Sequence, residues 1–442
     1  MNWFSKRKVL IKSFIIDSIL LTFLFYFSNE KFNLDLSYLR LVIIFLGWII
    51  LSYIFDRYYD YVKYKYLNNL KRIGINFLKT LGITVSVFVL LKFFRIFNFE
   101  LGYLHLNNFY FIIFLSFIST LLNFSLSFLY FDGKSIKETW IFVGSDKKLN
   151  NLKYEIKKIH SNIIIKKISQ TFCSDPYKFK YQGIIVDSGF DLNKSIADTL
   201  LNFKNKGMNL LNLEIWCSRF LERYPIDLVE DDLLFQDLGV NKFSIQFRIK
   251  RLGDIFIGSF LALVSIPIIL VCCLLIYLED GGPFFYKQIR NGQYEKTFEI
   301  VKLRTMKVNA EDYGPQWSKI GDKRITKLGK ILRLIRIDEL PQLISVIKGE
   351  MSLIGPRPER PEIDQALKIQ IPNYSLRYLI RPGLSGWAQV NIPYGASISD
   401  SIKKFSYDVY YLKHTSILLD FLICLRTIRM IFNARGAIPI ND

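Results

Sequence analysis

The chain has 442 residues, of which 51% are hydrophobic and 16% aromatic, and a net charge of +20. That aromatic content excludes a disordered chain, and so much apolar surface would aggregate in a wholly soluble protein, whereas a bilayer removes it from water. Five cysteines (Cys173, Cys217, Cys272, Cys273 and Cys424) form no CxxC pair, which excludes a disulfide scaffold or a Cys zinc site and fits a reduced, cytosol-facing protein.

Four apolar stretches open the chain: Val9–Ser28, Leu36–Phe55, Phe77–Phe94 and Phe109–Tyr130. Each approaches or exceeds the ~18–20 residues that cross hydrocarbon. The first is too long for a signal peptide, and no small-residue cleavage site follows it. Lys6, Arg7, Lys8 and Lys12 precede it, and Arg57, Lys63, Lys65, Lys71 and Arg72 separate the second stretch from the third. The opposite loops carry little more than Lys31 and Arg95, so both ends of the bundle are expected to face the cytoplasm. Asp17 and Lys79 are expected near the interface or in helix contacts, although a polar pathway is the other reading.

From about Lys134 to Phe247 the pattern is α/β. Trp140–Val143 and Gly183–Val186 read as buried parallel strands, with a Lys-rich helix around Leu149–Ile159 between them. Gly144 follows the first strand, but the rest of GxGxxG is missing, so a plain strand-to-helix turn is the better reading than a phosphate cradle. This domain is expected to be a degenerate Rossmann-like module serving assembly or regulation.

A fifth apolar stretch, Ile255–Leu278, has 24 residues, about 36 Å as a helix. Arg248, Lys250 and Arg251 precede it, and Lys287 and Arg290 follow. Basic residues on both sides ask both ends to stay inside. Pro267 removes a helical hydrogen bond mid-segment, and Ser265 is placed to bond the freed backbone carbonyls. The spacing predicts a bent re-entrant helix rather than a plain span.

Residues 281–381 carry 19 Lys+Arg against 11 Asp+Glu. Several bases cluster with Gly and Pro: Lys302 and Arg304; Arg357 between Pro356 and Pro358; Arg377; and Arg381-Pro382-Gly383. Arg forks beside rigid turns suit phosphate, and such a face also suits lipid headgroups. The basic excess therefore points to anionic lipid and phosphorylated substrates, not to nucleic acid, since no basic, aromatic-interleaved patch stands out. Asp338-Glu339 lies just before Pro341 and an apolar helix ending at Lys348-Gly349, with Arg333 and Arg336 upstream. Capping is the ordinary role for acids there. The phosphate-favouring setting adds a second: one carboxylate attacks phosphorus while the other helps hold Mg²⁺.

The stretch from Lys250 to about Gly436 resembles the bacterial sugar transferases, the monotopic phosphoglycosyl transferases that act on polyprenyl phosphate. The matching residues are Lys250-Arg-Leu-Gly-Asp254, Ser265-Ile-Pro267, Gly281-Gly-Pro-Phe-Phe-Tyr-Lys-Gln288 and Phe298-Glu-Ile-Val-Lys-Leu-Arg-Thr-Met306. Further along come Asp338-Glu-Leu-Pro-Gln342, Gly349 to Pro358, Arg381 to Asn391, and the Asp408, Tyr411 and Asp420 tail. Two departures stand out: Ile266 separates Ser265 from Pro267, where the family often has Ser-Pro, and Ile392-Pro393 follows Asn391, where Gly is usual and where sugar preference is at stake.

The resemblance implies transfer of a sugar 1-phosphate from a UDP-sugar to polyprenyl (undecaprenyl) phosphate with release of UMP, initiating exopolysaccharide, capsule or O-antigen synthesis. It makes Asp338 the nucleophile of a covalent phosphosugar intermediate and gives Mg²⁺ to Asp338 and Glu339. Lys302, Arg304, Arg333 and Arg357 bind phosphates, Pro356–Pro358 shape the nucleotide site, and Asp408, Arg377 and Arg381 are further substrate-binding candidates. The expected architecture is a membrane protein with a four-helix transmembrane bundle (1–132), a Rossmann-like α/β cytoplasmic domain (133–247) and a mainly α-helical catalytic domain (248–442) with a re-entrant membrane helix (255–278). It is expected in the bacterial inner membrane, multi-pass, as a homodimer with its catalytic domain on the cytoplasmic face. Two rivals are a membrane-anchored nucleotide-sugar dehydratase or epimerase, which needs an intact Gly-rich turn, and a non-enzymatic scaffold, which leaves Asp338-Glu339 without purpose.

Overall fold

A computed structural model describes residues 11–22, 38–55, 57, 69–93, 113–125, 138–159, 163–167, 181–190, 193–228, 245–310, 322–392, 395 and 397–432. The chain divides into two compact units, Met1–Ile136 and Lys137–Asp442. Lys6, Arg7, Lys8, Lys31, Lys63, Lys65, Arg95, Lys134, Cys173, Pro393, Gly436 and the outer ends of the four apolar stretches lie outside the described residues.

The first unit contains helices α1 (residues 11–22), α2 (Tyr38–Ile54), α3 (Asn69–Phe93) and α4 (Ile113–Ser125). Leu20, Trp48, Ile83, Val87 and Leu115 form its apolar core. Asp17 sits in the helix contacts: it is buried, pairs with Arg57, and accepts hydrogen bonds from Ser119 (2.6 Å), Asn123 (2.9 Å) and Trp48 (3.3 Å). Four groups converging on one carboxylate supply what its burial would otherwise leave unmet.

The second unit starts with a parallel four-stranded sheet. Its strands are β1 (Glu138–Val143), β2 (Ile163–Lys167), β3 (Gly183–Val186) and β4 (Asn209–Asn212), in the order β2-β1-β3-β4. Helix α5 (Asp146–Ile159) joins β1 to β2, α6 (Lys194–Asn205) joins β3 to β4, and α7 (Leu213–Phe220) follows β4; all three pack on the sheet. Alternation along β1 divides the core in two: Trp140 and Phe142 join Leu152, Ile185 and Trp216, while Ile141 and Val143 join Ile184, Leu200 and Phe203. A Cβ on Gly144 would come within 3 Å of Asp187 and Phe142, so this glycine serves close packing at the turn. Beside it, Lys148 pairs with buried Asp187 at 2.7 Å.

Helix α8 (Ile245–Asp280) follows, continuous for 36 residues with Pro267 inside it. Among the described residues it is the one helix long and apolar enough to cross a membrane. Its buried residues Asp254, Gly258, Ser265, Cys272 and Ile276 are spaced at helical repeats and form a single seam, while most other positions expose apolar side chains. Ser265 donates to the Ala262 carbonyl (2.8 Å). The carbonyl released by Pro267 belongs to Leu263, so the expected bond falls one residue earlier.

The rest is mainly helical, with two small sheets. Antiparallel β5 (Phe285–Asn291) and β6 (Thr297–Leu303) pair in register Tyr286 to Lys302. Next come α9 (Lys327–Leu334), capped by Thr326, a 3₁₀ turn (Ile337–Gln342) and α10 (Leu343–Lys348), which Gly349 ends at φ +92°. Strand β7 (Ser352–Ile354) runs parallel to β8 (Gly383–Ser385). Helix α11 (Pro361–Gln370) and a second 3₁₀ turn (Tyr374–Leu379) lie between them, and α12 (Trp387–Asn391), α13 (Ile398–Lys413) and α14 (Ile417–Phe432) complete the unit. Its core gathers Ile354, Leu367, Tyr374, Trp387, Phe405, Tyr411 and Ile423.

Candidate functional site

Strand β6 delivers Lys302 toward the 3₁₀ turn that carries Asp338 and Glu339. Leu303, the next residue, points the other way into a cluster with Cys272, Ile276 and Leu332. Between α9 and the turn, Arg336 adopts φ +59°, a left-handed conformation that costs a non-glycine residue energy and redirects the chain at the two acids. The acids therefore sit on a 3₁₀ turn ahead of α10 and not on that helix's own N-cap, as the position of Pro341 had suggested.

Both carboxylates are buried, and their surroundings pull them apart. Burial pushes Glu339 up, but Arg357 (2.7 Å), Arg336 (3.4 Å) and Lys302 (3.7 Å) outweigh it and hold the carboxyl well below the usual range. Asp338 goes the other way. Burial and the Glu339 charge raise it to about 6, although Lys302, Arg333 and Arg336 oppose the shift. Its Oδ1 is buried and has no hydrogen-bond partner. Burial brings Lys302 down to about 8, with Arg357 and Arg290 acting the same way against Glu339. Two adjacent acids thus hold different roles at neutral pH: Glu339 organises cations, and Asp338 is a carboxylate of raised basicity with a free oxygen.

The predicted residues divide by where they lie. Asp338, Glu339, Lys302, Arg333 and Arg357 act on one another. Arg333 is oriented by Thr305 Oγ1, 2.8 Å from its Nε. Pro356 and Pro358 hold the Arg357 loop by their carbonyls, which accept from Gly383 N (2.8 Å) and Arg290 Nη1 (3.1 Å). Gly355 is needed beside them because a Cβ there would strike the Arg381 carbonyl and Gly383 N.

Four predicted substrate ligands are engaged otherwise. Arg304 pairs with Asp280 at the end of α8. Arg377 is buried, donates to the Arg357 carbonyl (2.7 Å) and pairs with Asp408 (3.1 Å), so both support the Arg357 loop from behind. Arg381 bears on Arg251 at the start of α8 instead. Ser265 and Pro267 lie within α8, outside this cluster. Two further cations join the cluster: Arg336, noted from sequence only as upstream of the acids, and Arg290, noted only as following the membrane segment. Arg336 is three residues before Glu339, a spacing that brings side chains together on a helix. Arg290 shares a face of the β5–β6 ribbon with Lys302, which two-residue alternation from Tyr286 would have revealed.

Among the described residues no group of three or more His, Cys, Asp or Glu side chains could by itself enclose a metal. A divalent ion here would therefore need substrate oxygens beside Asp338 and Glu339, an arrangement common for Mg²⁺.

The family model for bacterial sugar transferases matches residues 245–434, which include this whole cluster. The chain is similar to the UDP-N-acetylgalactosamine-undecaprenyl-phosphate N-acetylgalactosaminephosphotransferase of Aeromonas hydrophila: 44% identical over 189 residues, 43% of this chain and 45% of that protein. It is 37% identical over 222 residues, 49% of this chain and 83% of the relative, to the UDP-glucose:undecaprenyl-phosphate glucose-1-phosphate transferase of Caulobacter vibrioides. An Escherichia coli (strain K12) protein of the same description is 33% identical over 192 residues, 43% of this chain and 40% of that protein. The chain thus spans less than half the length of the Aeromonas and Escherichia proteins and most of the Caulobacter one. By the match across its site residues and this coverage, the chain belongs to the bacterial sugar transferase family.

Proposed function

We propose that this chain transfers a sugar 1-phosphate from a UDP-sugar to undecaprenyl phosphate and releases UMP, the class of reaction in its relatives' names. The observation that carries the reading is Asp338, a buried carboxylate of raised basicity with an unpartnered oxygen, set among Lys302, Arg333, Arg336 and Glu339. In the first step Asp338 attacks the phosphorus that bears the sugar, the bond to the bridging oxygen breaks, and UMP leaves with that electron pair. In the second, an oxygen of the lipid phosphate attacks the acyl phosphate and frees Asp338. Lys302, Arg333, Arg336 and Arg357 neutralise the charge of the diphosphate, since catalysis of phosphoryl transfer is mainly positioning and electrostatics. Asp338 and Glu339, together with substrate oxygens, would hold Mg²⁺, whose charge would offset that of the diphosphate.

Re-entrant membrane attachment is supported by both ends of α8. Asp254 accepts hydrogen bonds from Ser352 Oγ (3.0 Å) and Leu353 N (2.9 Å), and Asp280 pairs with Arg304. A plain span would carry one of those ends across about 30 Å of hydrocarbon, away from the unit that binds the other. The wider architecture belongs to the same reading: four spans within residues 1–132, a Rossmann-like assembly module in 133–247, catalysis in 248–442, and a homodimer in the bacterial inner membrane. A dehydratase or epimerase is disfavoured because Gly144 stands alone after β1, where a dinucleotide cradle needs a Gly-rich turn.

The test is UMP release by the purified full-length chain with Mg²⁺, polyprenyl phosphate and a panel of UDP-sugars. At least one sugar should give release that requires the lipid phosphate and is lost in Asp338→Asn. No release with any sugar, or substantial turnover by Asp338→Asn, would overturn the reading.

A further inference from the structure

Gln342 is assigned no role by the chemistry above, and its setting demands one. It ends the 3₁₀ turn that begins at Ile337, its side chain is only 4% exposed, and its amide nitrogen Nε2 is buried without a hydrogen-bond partner. A buried amide left unpaired is costly, and a Met or Leu of similar volume would avoid that cost. Four residues earlier, Asp338 Oδ1 is buried and unpartnered too. A donor and an acceptor thus lie on the same six-residue turn, neither bonded to the other and neither met by the protein. On a 3₁₀ turn residues three apart eclipse, so Gln342 lies over Glu339, the neighbour of Asp338.

We propose that Gln342 is a further substrate-contacting residue, whose carboxamide hydrogen-bonds an uncharged hydroxyl or amide group of the sugar that Asp338 receives. The inference rests on the transferase reading. Once the phosphorus stands at Asp338, the sugar follows through a single oxygen, within reach of a side chain on the same turn. The phosphate charge already has Lys302, Arg333, Arg336 and Arg357 to meet it. Gln342 adds something these cations lack: a neutral group that both donates and accepts, matched to a sugar substituent. It therefore bears on which sugar is accepted, not on how the nucleotide is held.

The test compares wild type, Gln342→Met and Gln342→Glu as full-length proteins. Three quantities are read: melting temperature without ligand, affinity for UDP, and kcat/KM for UMP release from the preferred UDP-sugar. Met removes the orphaned amide; Glu keeps the shape and loses the N–H. Both variants should lose about tenfold or more in kcat/KM, with UDP affinity within about twofold of wild type, and Gln342→Met should melt no lower than wild type. If Gln342→Met retains wild-type kcat/KM, or loses UDP affinity in step with it, or melts well below wild type, the assignment fails while the transferase reading stands. If wild type releases UMP from no UDP-sugar, the transferase reading fails and takes this assignment with it.

Discussion

Asp338 and Glu339 are neighbours of the same chemical type, yet their surroundings send their proton affinities in opposite directions. Burial and the Glu339 charge raise Asp338 to about 6, and the attacking form is the carboxylate. Formation of the covalent intermediate should therefore fall about tenfold per pH unit below that value and level off above it; single-turnover labelling between pH 5 and 8 measures this, and a flat profile would refute it. The sign for stability follows from the same shift. A raised carboxyl binds its proton more tightly in the folded state, so stability is lost as pH rises from the ordinary value of 3.8 through about 6. Asp338→Asn should then melt no lower than wild type at pH 7, with a gain of at most about 2–3 kcal/mol, while its labelling disappears. Glu339→Gln should instead melt below wild type, because it leaves Lys302, Arg336 and Arg357 to repel one another. A loss on the order of 3–5 kcal/mol is expected in thermal melts. Residue types and spacing raised Asp338, Glu339, Lys302 and Arg357 as candidates, but capping is the ordinary use of acids at that position, and the family resemblance supplied their roles. Arg377 and Asp408 were legible only as candidates: they are 31 positions apart, and only the fold turns them toward each other behind Arg357.

At the scale of elements, hydropathy showed that 255–278 would be one helix but not which side of it meets protein. A segment apolar all round carries no amphipathic signal. The seam of Asp254, Gly258, Ser265, Cys272 and Ile276 appears only once α8 is seen against α10, β6 and α9. At one end Arg251 donates to the Val346 and Ile347 carbonyls (2.7 Å each), so the C-terminus of α10 is satisfied by the start of α8. A cysteine placed at Ile249 and another at Ile289, both exposed positions, should label from the same, cytoplasmic side of sealed vesicles. Labelling of the two from opposite sides would mean that α8 crosses the bilayer. The 3₁₀ turn was hidden for a different reason. Pro341 is compatible with the first turn of an α-helix or with a 3₁₀ turn, and the left-handed Arg336 that separates the turn from α9 has no sequence signature in a non-glycine residue.

At the scale of the second unit, the α/β module and the catalytic region are not independent bodies joined by a tether. Tyr224, which precedes α8 by some twenty residues, lies in the core that holds Ile354, Phe405 and Tyr411. Its backbone N–H donates to the Ser406 carbonyl (3.0 Å), and its hydroxyl bonds His414 Nε2 (3.0 Å). Around it, Trp387 Nε1 donates to the Glu222 carbonyl (2.9 Å), Lys413 pairs with Glu214 (2.6 Å), and Arg223 pairs with Glu155 of α5 while lying over Tyr407. Trp387 belongs to the stretch from Arg381 to Asn391 that carries the family resemblance, so a helix next to the Arg357 loop is braced by a segment outside the matched region. This coupling predicts one cooperative transition. Tyr224→Ala in the full chain removes a buried ring and strands its partners, which should cost about 3–5 kcal/mol. It should lower the unfolding of the sheet and of the catalytic region together, whereas Tyr154→Ala, at a 59% exposed ring on α5, should change stability by less than about 0.5 kcal/mol. Hydrogen exchange resolved along the chain distinguishes the outcomes. If Tyr224→Ala loosens only β1–β4 and leaves the catalytic core protected, the two parts fold separately and the module does not brace the site.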